Sequence, residues 1–347
     1  MRHGVPPEDL NRAHDIVGSR WEHLRGGRVF ITGGTGFVGK WLMETLLDAN
    51  ARLGLDCALV VLTRNPAAFQ AESPELARAD RVDIAEGDVR SLRQDLGSFS
   101  HVIHAATDVV AANTPIETFD TCVEGTRRVL DMAVRAKTGA MLLVSSGAVY
   151  GRQPPDLETL PESWLGAPAT AKPSSAYGEG KRAAEWLANA YAAEHSIRIP
   201  TARCFAFVGP YLPLDKHFAI GNFLRDAMGQ RPITIQGDGT PFRSYLHACD
   251  MAAWLWTILL EGRSQAAYNV GGREAISIAQ LANRVVNVLG STSSVRALKQ
   301  APPDAKPERY VPDVSLAQTE FQLPPAWSLD EAILRTARWY QRGVPHP

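Results

Sequence analysis

Tyr177 and Lys181 stand four residues apart in SSAYGEGKRAAEW, a stretch that predicts a helix. Residues at this spacing share one helix face, so the phenol and the ammonium point the same way. A nearby positive charge favours the phenolate, and we expect it to lower the pKa of Tyr177 toward the range useful for a general base. The same spacing is common on exposed helices, so the pair needs companions before it indicates catalysis.

Ser146 is such a companion. The apolar run 140–145 predicts a buried parallel strand, and SSGAVYG (145–151) overlaps its end. Parallel sheets bind ligands at the carboxyl ends of their strands, so Ser146 is placed to hydrogen-bond a reacting oxygen. A role as a turn or helix cap is the alternative.

A glycine-rich turn predicts a dinucleotide site. RVFITGGTGFVGKWL (28–42) has the pattern strand, turn, helix. Gly33 permits the tight turn, Gly36 lets a pyrophosphate approach the backbone, and Gly39 lets the helix pack on the strand. The N–H groups at the helix start would face the diphosphate. No Gly-Lys-Ser/Thr follows, which excludes a P-loop.

The choice between NAD and NADP depends on the end of the second predicted strand. An acidic residue there would bind the adenosine ribose and favour NAD, but the chain has Thr63-Arg64-Asn65. Arg64 would instead pair with a 2′-phosphate, which favours NADP, or else it stacks on adenine or is solvated. The cofactor prediction is therefore NAD or NADP.

Composition excludes several classes of protein. The 347 residues carry a net charge of -1 with 45% hydrophobic and 21% charged residues, so neither a nucleic acid nor a membrane is an expected partner. The four cysteines lack metal-site spacing, and we expect no metal and reduced thiols in a cytoplasmic protein. The N-terminus is too polar for a signal peptide, and no apolar run reaches about 18 residues.

The order of elements predicts an α/β fold. Short apolar runs alternate with helical stretches in the first half, which indicates a Rossmann-type doubly wound parallel sheet, followed by a smaller C-terminal α/β substrate-binding region. The predicted strands are 28–32, 58–63, 81–85, 102–105, 140–145, 199–207 and 232–236. The predicted helices are 7–24, 41–47 as part of a longer one, 117–136, 174–195, 218–228, 251–260, 277–289 and 329–340, and 301–313 is predicted to be an extended surface loop.

The predicted domains follow from these elements. Residues 1–27 form an N-terminal helical extension that packs against the body of the fold. Residues 28–208, with about 240–262, form the NAD(P)-binding domain, and 209–239 with 263–347 form the substrate-binding region.

The ordered motifs resemble one family. TGGTGFVG, HAA (104–106), SSGAVYG, YGEGK, GDGTPFRSYLHACD and YNVGG follow one another as in the extended short-chain dehydrogenase/reductases, the sugar-nucleotide epimerase/dehydratase family, from about Arg28 to the C-terminus. The resemblance implies that Ser146 assists catalysis, Tyr177 is the acid/base, and Lys181 holds the nicotinamide ribose and tunes the tyrosine. The cofactor-binding residues it implies, with those of the turn, are Gly33, Thr35, Gly36, Phe37, Val38, Gly39, Arg64, Asp88, Val89, Ala105, Ala106, Tyr177 and Lys181.

The resemblance also implies the substrate site. Arg243 matches the arginine that grips the substrate diphosphate, for which bidentate pairing is suited. Ser146 is expected to bind the sugar, and Asn222 and His217 are further candidates for contacts with the substrate. The partner is a small nucleotide sugar, and helices matching 117–136 and 174–195 commonly form a homodimer interface in this family.

Departures from the family pattern narrow the chemistry. Gly147-Ala148 stands where dehydratases carry Asp-Glu and where decarboxylases have Glu at the second position. The resemblance therefore supports neither dehydration nor decarboxylation unless a group from elsewhere in the fold substitutes, and it leaves 4-epimerisation or the reduction or oxidation of a sugar carbonyl. Family members often have asparagine at the positions of Ala206, Thr121 and Cys122. These differences leave the identity of the sugar open and allow a sugar that is uncommon in the family.

We therefore expect a sugar-nucleotide epimerase that acts through a transient keto-sugar. The first alternative is an NADPH-dependent keto-sugar reductase. Lesser alternatives are a dehydratase whose acid and base come from elsewhere in the fold, or a dinucleotide sensor without catalysis.

Overall fold

The computed structural model describes residues 4–92, 96–107, 114–216, 218–302 and 306–342. The strands are β1 Arg28–Thr32, β2 Ala58–Thr63, β3 Val82–Glu86, β4 His101–His104, β5 Ala140–Ser146, β6 Thr201–Cys204, β7 Ala206–Val208, β8 Ile233–Ile235, β9 Phe242–Arg243, β10 Tyr245–His247, β11 Ala267–Val270, β12 Ile276–Ser277, β13 Val295–Ala297 and β14 Arg309–Tyr310. The helices are α1 Pro7–Val17, α2 Phe37–Leu53, α3 Pro66–Glu72, α4 Pro74–Ala77, α5 Pro115–Arg135, α6 Ala176–Glu194, α7 Ala219–Met228, α8 Ala248–Glu261, α9 Ile278–Leu289, α10 Ser315–Glu320 and α11 Leu329–Arg342.

A seven-stranded parallel sheet forms the centre of the molecule, in the order β11-β6-β5-β4-β1-β2-β3. All seven residues of β5 are buried, as expected for a strand covered on both faces. The order reverses at β1, which pairs with β2 on one side and β4 on the other. The carboxyl ends of β1 and β4 therefore border the crevice where open α/β sheets bind ligands, and the predicted Rossmann-type fold is confirmed.

The predicted strand 199–207 is wrong because the chain changes sheets at Phe205. β6 pairs with β5 and β11 in the large sheet, whereas β7 pairs with β10 in a separate two-stranded sheet. The Phe205 N–H still donates to the carbonyl of Val270, at 2.9 Å, before the strand leaves. The apolar run continues through residue 205, so the sequence pattern does not predict that the strand changes its pairing partner there.

The N-terminal helix is shorter than the predicted 7–24. It ends at Val17 because the next residue, Gly18, has a φ of 58°, in the left-handed region, and a 3-10 helix continues from Gly18 to Leu24. α1 packs on α8, where Arg12 forms an ion pair with Asp250 at 2.7 Å. The rings of Trp21 and Trp256 lie 5.4 Å apart at the same junction.

The predicted surface loop 301–313 is wrong in its second half. Arg309 and Tyr310 form β14, which pairs in parallel with β9, and Val311 is fully buried. Positions 303–305 of this segment lie outside the described residues.

None of the helices in the described part of the chain is long and apolar enough to cross a membrane.

Candidate active site

The glycine turn after β1 has the shape that a diphosphate needs. Gly33 has φ +74°, and a Cβ there would lie 2.7 Å from the carbonyl carbon and oxygen of Ala105. A Cβ on Gly39 would lie 2.3 Å from the Gly33 oxygen, so the close packing of α2 on the turn requires glycine. Gly36 is exposed, and only the Gly33 oxygen, at 3.5 Å, would contact its Cβ.

The start of α2 completes this turn. Gly36 is the residue before the helix, and no side chain among the described residues caps it there. The first N–H groups of a 17-residue helix are thus available to an anion. Thr35 lies in the turn, and Phe37 and Val38, in the first turn of the helix, pack partly on the core. These residues fit the pyrophosphate of a dinucleotide.

The predicted cofactor-binding residues Arg64, Asp88 and Val89 follow the ends of β2 and β3. Asp88 is bound by Arg90 through Nη2 at 2.8 Å and Nε at 3.0 Å. This ion pair and the positive charge of Arg64 lower the pKa of Asp88. Val89, the next residue, is buried, and the effect of the Arg64 charge on Asp88 indicates that Arg64 and Asp88 lie near each other.

A buried histidine orders the strand ends beneath the predicted cofactor path. His104 contacts Thr32 Oγ1 through Nδ1 at 2.7 Å and Thr126 Oγ1 through Nε2 at 3.0 Å. Burial lowers the pKa of His104 to about 3, so the ring is neutral. The Ala106 N–H donates to Thr32 Oγ1 at 3.2 Å, and Ala105 and Ala106 are thereby fixed beside the glycine turn.

The structure brings the three predicted catalytic residues to the carboxyl end of β5. Ser146 is the last residue of that strand, and its Oγ accepts from the Ala148 N–H at 3.1 Å. The Tyr177 phenol, on α6, hydrogen-bonds Ser146. Lys181, one turn further on, is buried and donates from Nζ to the Val144 carbonyl at 2.8 Å.

The prediction that the pKa of Tyr177 is lowered is wrong. Burial raises the pKa of Tyr177 well above its ordinary value, and the hydrogen bond with Ser146 only partly opposes this effect. Burial also lowers the pKa of Lys181. The reason is that covering the phenol and the ammonium disfavours both of their charged forms.

A buried ion pair supports these residues from behind, and the sequence analysis did not identify it. Arg203 on β6 binds Glu185 on α6, with Nη2 and Oε2 2.7 Å apart. Glu185 accepts from Ser145 Oγ at 2.5 Å, and Arg203 donates to the Tyr150 hydroxyl at 2.9 Å. Tyr150 in turn donates to Asn269 on β11 at 2.8 Å. The network ties the helix of Tyr177 to three strands of the sheet.

The sequence analysis also missed Tyr310, which the structure places against Ser146. The Tyr310 phenol on β14 hydrogen-bonds Ser146, and its ring lies 4.6 Å from that of Phe205. The pair Tyr310-Val311 has the aromatic and β-branched character of a strand, which could have indicated β14 but not the contact between Tyr310 and Ser146.

Gly147 makes room for Tyr310. A Cβ at Gly147 would lie 2.6 Å from the Phe205 ring and 2.7 Å from the Tyr310 hydroxyl. Gly147→Ala is expected to lower the free energy of unfolding by about 1–3 kcal/mol, because the two rings must shift. Urea denaturation measures this difference. Gly237→Ala is the matched control, since its Cβ would meet nothing within 4 Å, and equal stability of both variants would contradict the packing at Gly147.

The predicted substrate residues differ in their surroundings. Arg243 is half-buried on β9, and its guanidinium carbon lies 5.8 Å from the centroid of the Tyr310 ring, beside the predicted catalytic residues. Asn222 donates from Nδ2 to the Lys216 carbonyl at 2.8 Å, a contact that orders its own loop. His217 lies outside the described residues.

A buried polar cluster lies away from this site, although the sequence spacing suggested no partners for the cysteines. Asp9, His247 and Cys249 have ligand-type atoms within 4.8 Å of one another. Arg335 binds Asp9 at 2.8 Å, and the positive charges of Arg335 and Arg12 act on His247. Their charge opposes a cation, so the cluster is a junction between α1, α8 and α11.

Comparisons with known proteins agree with this geometry. Residues 29–271 match the family described as the NAD dependent epimerase/dehydratase family. Among curated proteins, the chain is 29% identical over 308 residues to UDP-glucuronic acid decarboxylase 3 of Arabidopsis thaliana, covering 88% of this chain and 86% of that protein. It is 28% identical over 322 residues to UDP-glucuronic acid decarboxylase 1 of Xenopus tropicalis, covering 92% and 73%.

A solved structure extends the comparison. DesIV, a dTDP-glucose 4,6-dehydratase from Streptomyces venezuelae with NAD and TYD bound, superposes with a TM-score of 0.75 and 26% identity, covering 91% of this chain and 97% of that one. The predicted NAD(P)-dependent enzyme of the extended short-chain dehydrogenase/reductase type is thus confirmed, and the chain belongs to the NAD dependent epimerase/dehydratase family.

Proposed function

We propose that this protein is an NAD-dependent decarboxylase of UDP-glucuronic acid that works through a 4-keto sugar. The observation that carries the proposal is the convergence of Tyr177 and Ser146 at the end of β5, beside the glycine turn. The proposed substrate is inferred from the UDP-glucuronic acid decarboxylases, which the chain resembles over about nine-tenths of its length.

The side chains would divide the work of oxidising the sugar at C4. Ser146 would hydrogen-bond the C4 oxygen, and Tyr177 would accept its proton. Lys181 would hold the nicotinamide ribose, and Arg243 would bind the diphosphate. NAD, cradled by the turn from Gly33 to Gly39, supplies the acceptor for the hydride from C4 and later its donor.

The chemistry of the sugar would let this site decarboxylate without the Asp-Glu pair of the dehydratases, and also without the glutamate that decarboxylases carry where this chain has Ala148. Oxidation at C4 makes the uronic acid a β-keto acid, which loses carbon dioxide without a base at C5. Dehydration would need both a base at C5 and an acid at the departing hydroxyl. Because Gly147-Ala148 offers neither, decarboxylation fits this chain better than dehydration.

The test is to incubate the purified protein with UDP-glucuronic acid and NAD and to follow released carbon dioxide and the mass of the nucleotide sugar. The proposal expects a UDP-pentose, lighter by one carbon dioxide, without net consumption of NAD. An unchanged substrate, or a product that keeps its carboxylate, would contradict it.

The second candidate is the epimerase expected from the sequence. Gly147-Ala148 favours it, because neither residue carries an acid or a base and epimerisation needs none at this position. It needs only Ser146, Tyr177 and Lys181, because the keto-sugar turns over without any change at C5. Its product would have the mass of the substrate. A keto-sugar reductase would instead consume NADPH stoichiometrically, and Arg64 keeps NADP as the alternative cofactor.

We also propose that two copies pair through α5 and α6. Ile116 and Trp186, one on each helix, are 73% and 69% exposed. Trp186→Asp is expected to convert a dimer into a monomer, because it would place a charge within an apolar interface; light scattering measures the mass. Leu165→Asp, at a residue 92% exposed outside both helices, is the control. A Trp186→Asp protein that stays dimeric would contradict the interface.

A further inference from the structure

Two phenols from different parts of the chain hydrogen-bond the Ser146 hydroxyl. Tyr177 approaches from α6, and Tyr310 approaches from β14. The motif of the family accounts for the first phenol only. β14 is held at the site because Tyr310 pairs in register with Arg243 of β9.

The Tyr310 hydroxyl occupies the space of a missing side chain. It lies 2.7 Å from the point where Gly147 would carry a Cβ. The side chain at this position is the one that begins the Asp-Glu pair in the dehydratases that the sequence resembles. Gly147 thus leaves the space beside Ser146 open, and a phenol from the C-terminal region fills it.

The surroundings of Tyr310 keep it a proton donor. Burial raises its pKa to about 12, and neither Ser146 nor Arg243, which both favour the phenolate, overcomes this effect. The ring is fixed on one side by Phe205, 4.6 Å away, and on another by the Arg243 guanidinium. A phenol with this pKa is protonated at neutral pH and can donate to a carbanion.

We propose that Tyr310 is a catalytic residue that donates the proton to C5 of the sugar after carbon dioxide has left. The proposal rests on the decarboxylase function. The C5–C6 bond breaks, and its electron pair forms the C4–C5 enolate as carbon dioxide departs. The Tyr310 O–H bond then breaks and a C5–H bond forms, which restores the C4 ketone. The phenolate recovers a proton from water as the product leaves.

The experiment compares wild type, Tyr310→Phe and Tyr268→Phe with UDP-glucuronic acid and NAD in single turnovers in D2O. Three quantities are followed: carbon dioxide, the absorbance of reduced nicotinamide, and UDP-pentose with its deuterium at C5. Tyr268 is a buried tyrosine whose hydroxyl donates to Glu320 at 2.7 Å and accepts from the Arg263 N–H at 3.0 Å, so its variant controls for the loss of a hydrogen-bonded phenolic hydroxyl.

The wild type and Tyr268→Phe are expected to place one deuterium at C5 in a single configuration. Tyr310→Phe is expected to release carbon dioxide and form reduced nicotinamide within about threefold of the wild-type rates, while UDP-pentose forms about a hundredfold more slowly. The deuterium that does enter C5 should be distributed over both configurations.

Two results would overturn the assignment of Tyr310. One is a Tyr310→Phe protein that forms stereochemically pure UDP-pentose at the wild-type rate. The other is an equal loss of carbon dioxide release, reduced nicotinamide and product, which would place Tyr310 in the oxidation step or in folding. A wild type that releases no carbon dioxide overturns the decarboxylase function itself, and the role of Tyr310 with it.

Discussion

Tyr177→Phe is expected to lower turnover by at least about a thousandfold while the Kd for NAD changes by less than about threefold. The Tyr177 phenol would take the proton as C4 is oxidised, whereas the glycine turn and Lys181 remain in place. Steady-state kinetics measure the first quantity, and fluorescence titration with NAD measures the second.

Tyr191→Phe is the matched control for this variant, because it lies on the same helix and its hydroxyl binds Asp131 at 2.6 Å. It should keep wild-type turnover. Unchanged turnover in Tyr177→Phe would end its assignment as the acid/base, and a parallel loss of NAD binding would indicate a structural role.

Arg203→Met should lower the free energy of unfolding by about 3–5 kcal/mol. The substitution leaves the Glu185 carboxylate buried without its cation, and it removes the hydrogen bond that Tyr150 accepts. Replacing Glu185 by Leu in the same chain should recover most of the loss, because the uncompensated buried charge is then gone. Urea denaturation at neutral pH measures the free energy of unfolding of the wild type, of Arg203→Met and of the Arg203→Met/Glu185→Leu double variant.

Arg263→Met is the matched control, because it breaks an ion pair whose arginine is exposed to solvent. Arg263 binds Glu320 with the same two-pronged geometry, but its side chain is 65% exposed, so solvent screens the pair. Its unfolding transition should match the wild type. If Arg203→Met unfolds at the same urea concentration as Arg263→Met, the buried network does not stabilise the site as we describe.

The sequence predicted the sheet best where short-range signals suffice. The bounds of β1 and β2 agree with the predictions because each is an apolar run bounded by turn residues. The change of sheet at Phe205 was not predictable in this way, since β7 finds its partner β10 almost 40 residues later. Pairing between distant segments leaves no local pattern.

In the candidate site, too, the residues in local motifs were predicted and those positioned by long-range contacts were not. Ser146, Tyr177 and Lys181 form ordered motifs, and the structure brings them together. Tyr310 lies in a proline-rich segment that reads as a loop, and only its pairing with β9 carries it to Ser146. The pKa of Tyr177 could not be predicted from the spacing to Lys181, because desolvation depends on everything that covers the phenol.

The central claim is that Tyr177 and Ser146 serve a transient oxidation at one ring carbon. UDP-glucuronic acid carrying deuterium at C4 tests it most directly, with mass spectrometry and NMR of the product. We predict that the deuterium slows turnover and is found again at C4 of the product, with no label in free nicotinamide. Deuterium lost to solvent, or released in NADH in proportion to the product, would contradict the claim.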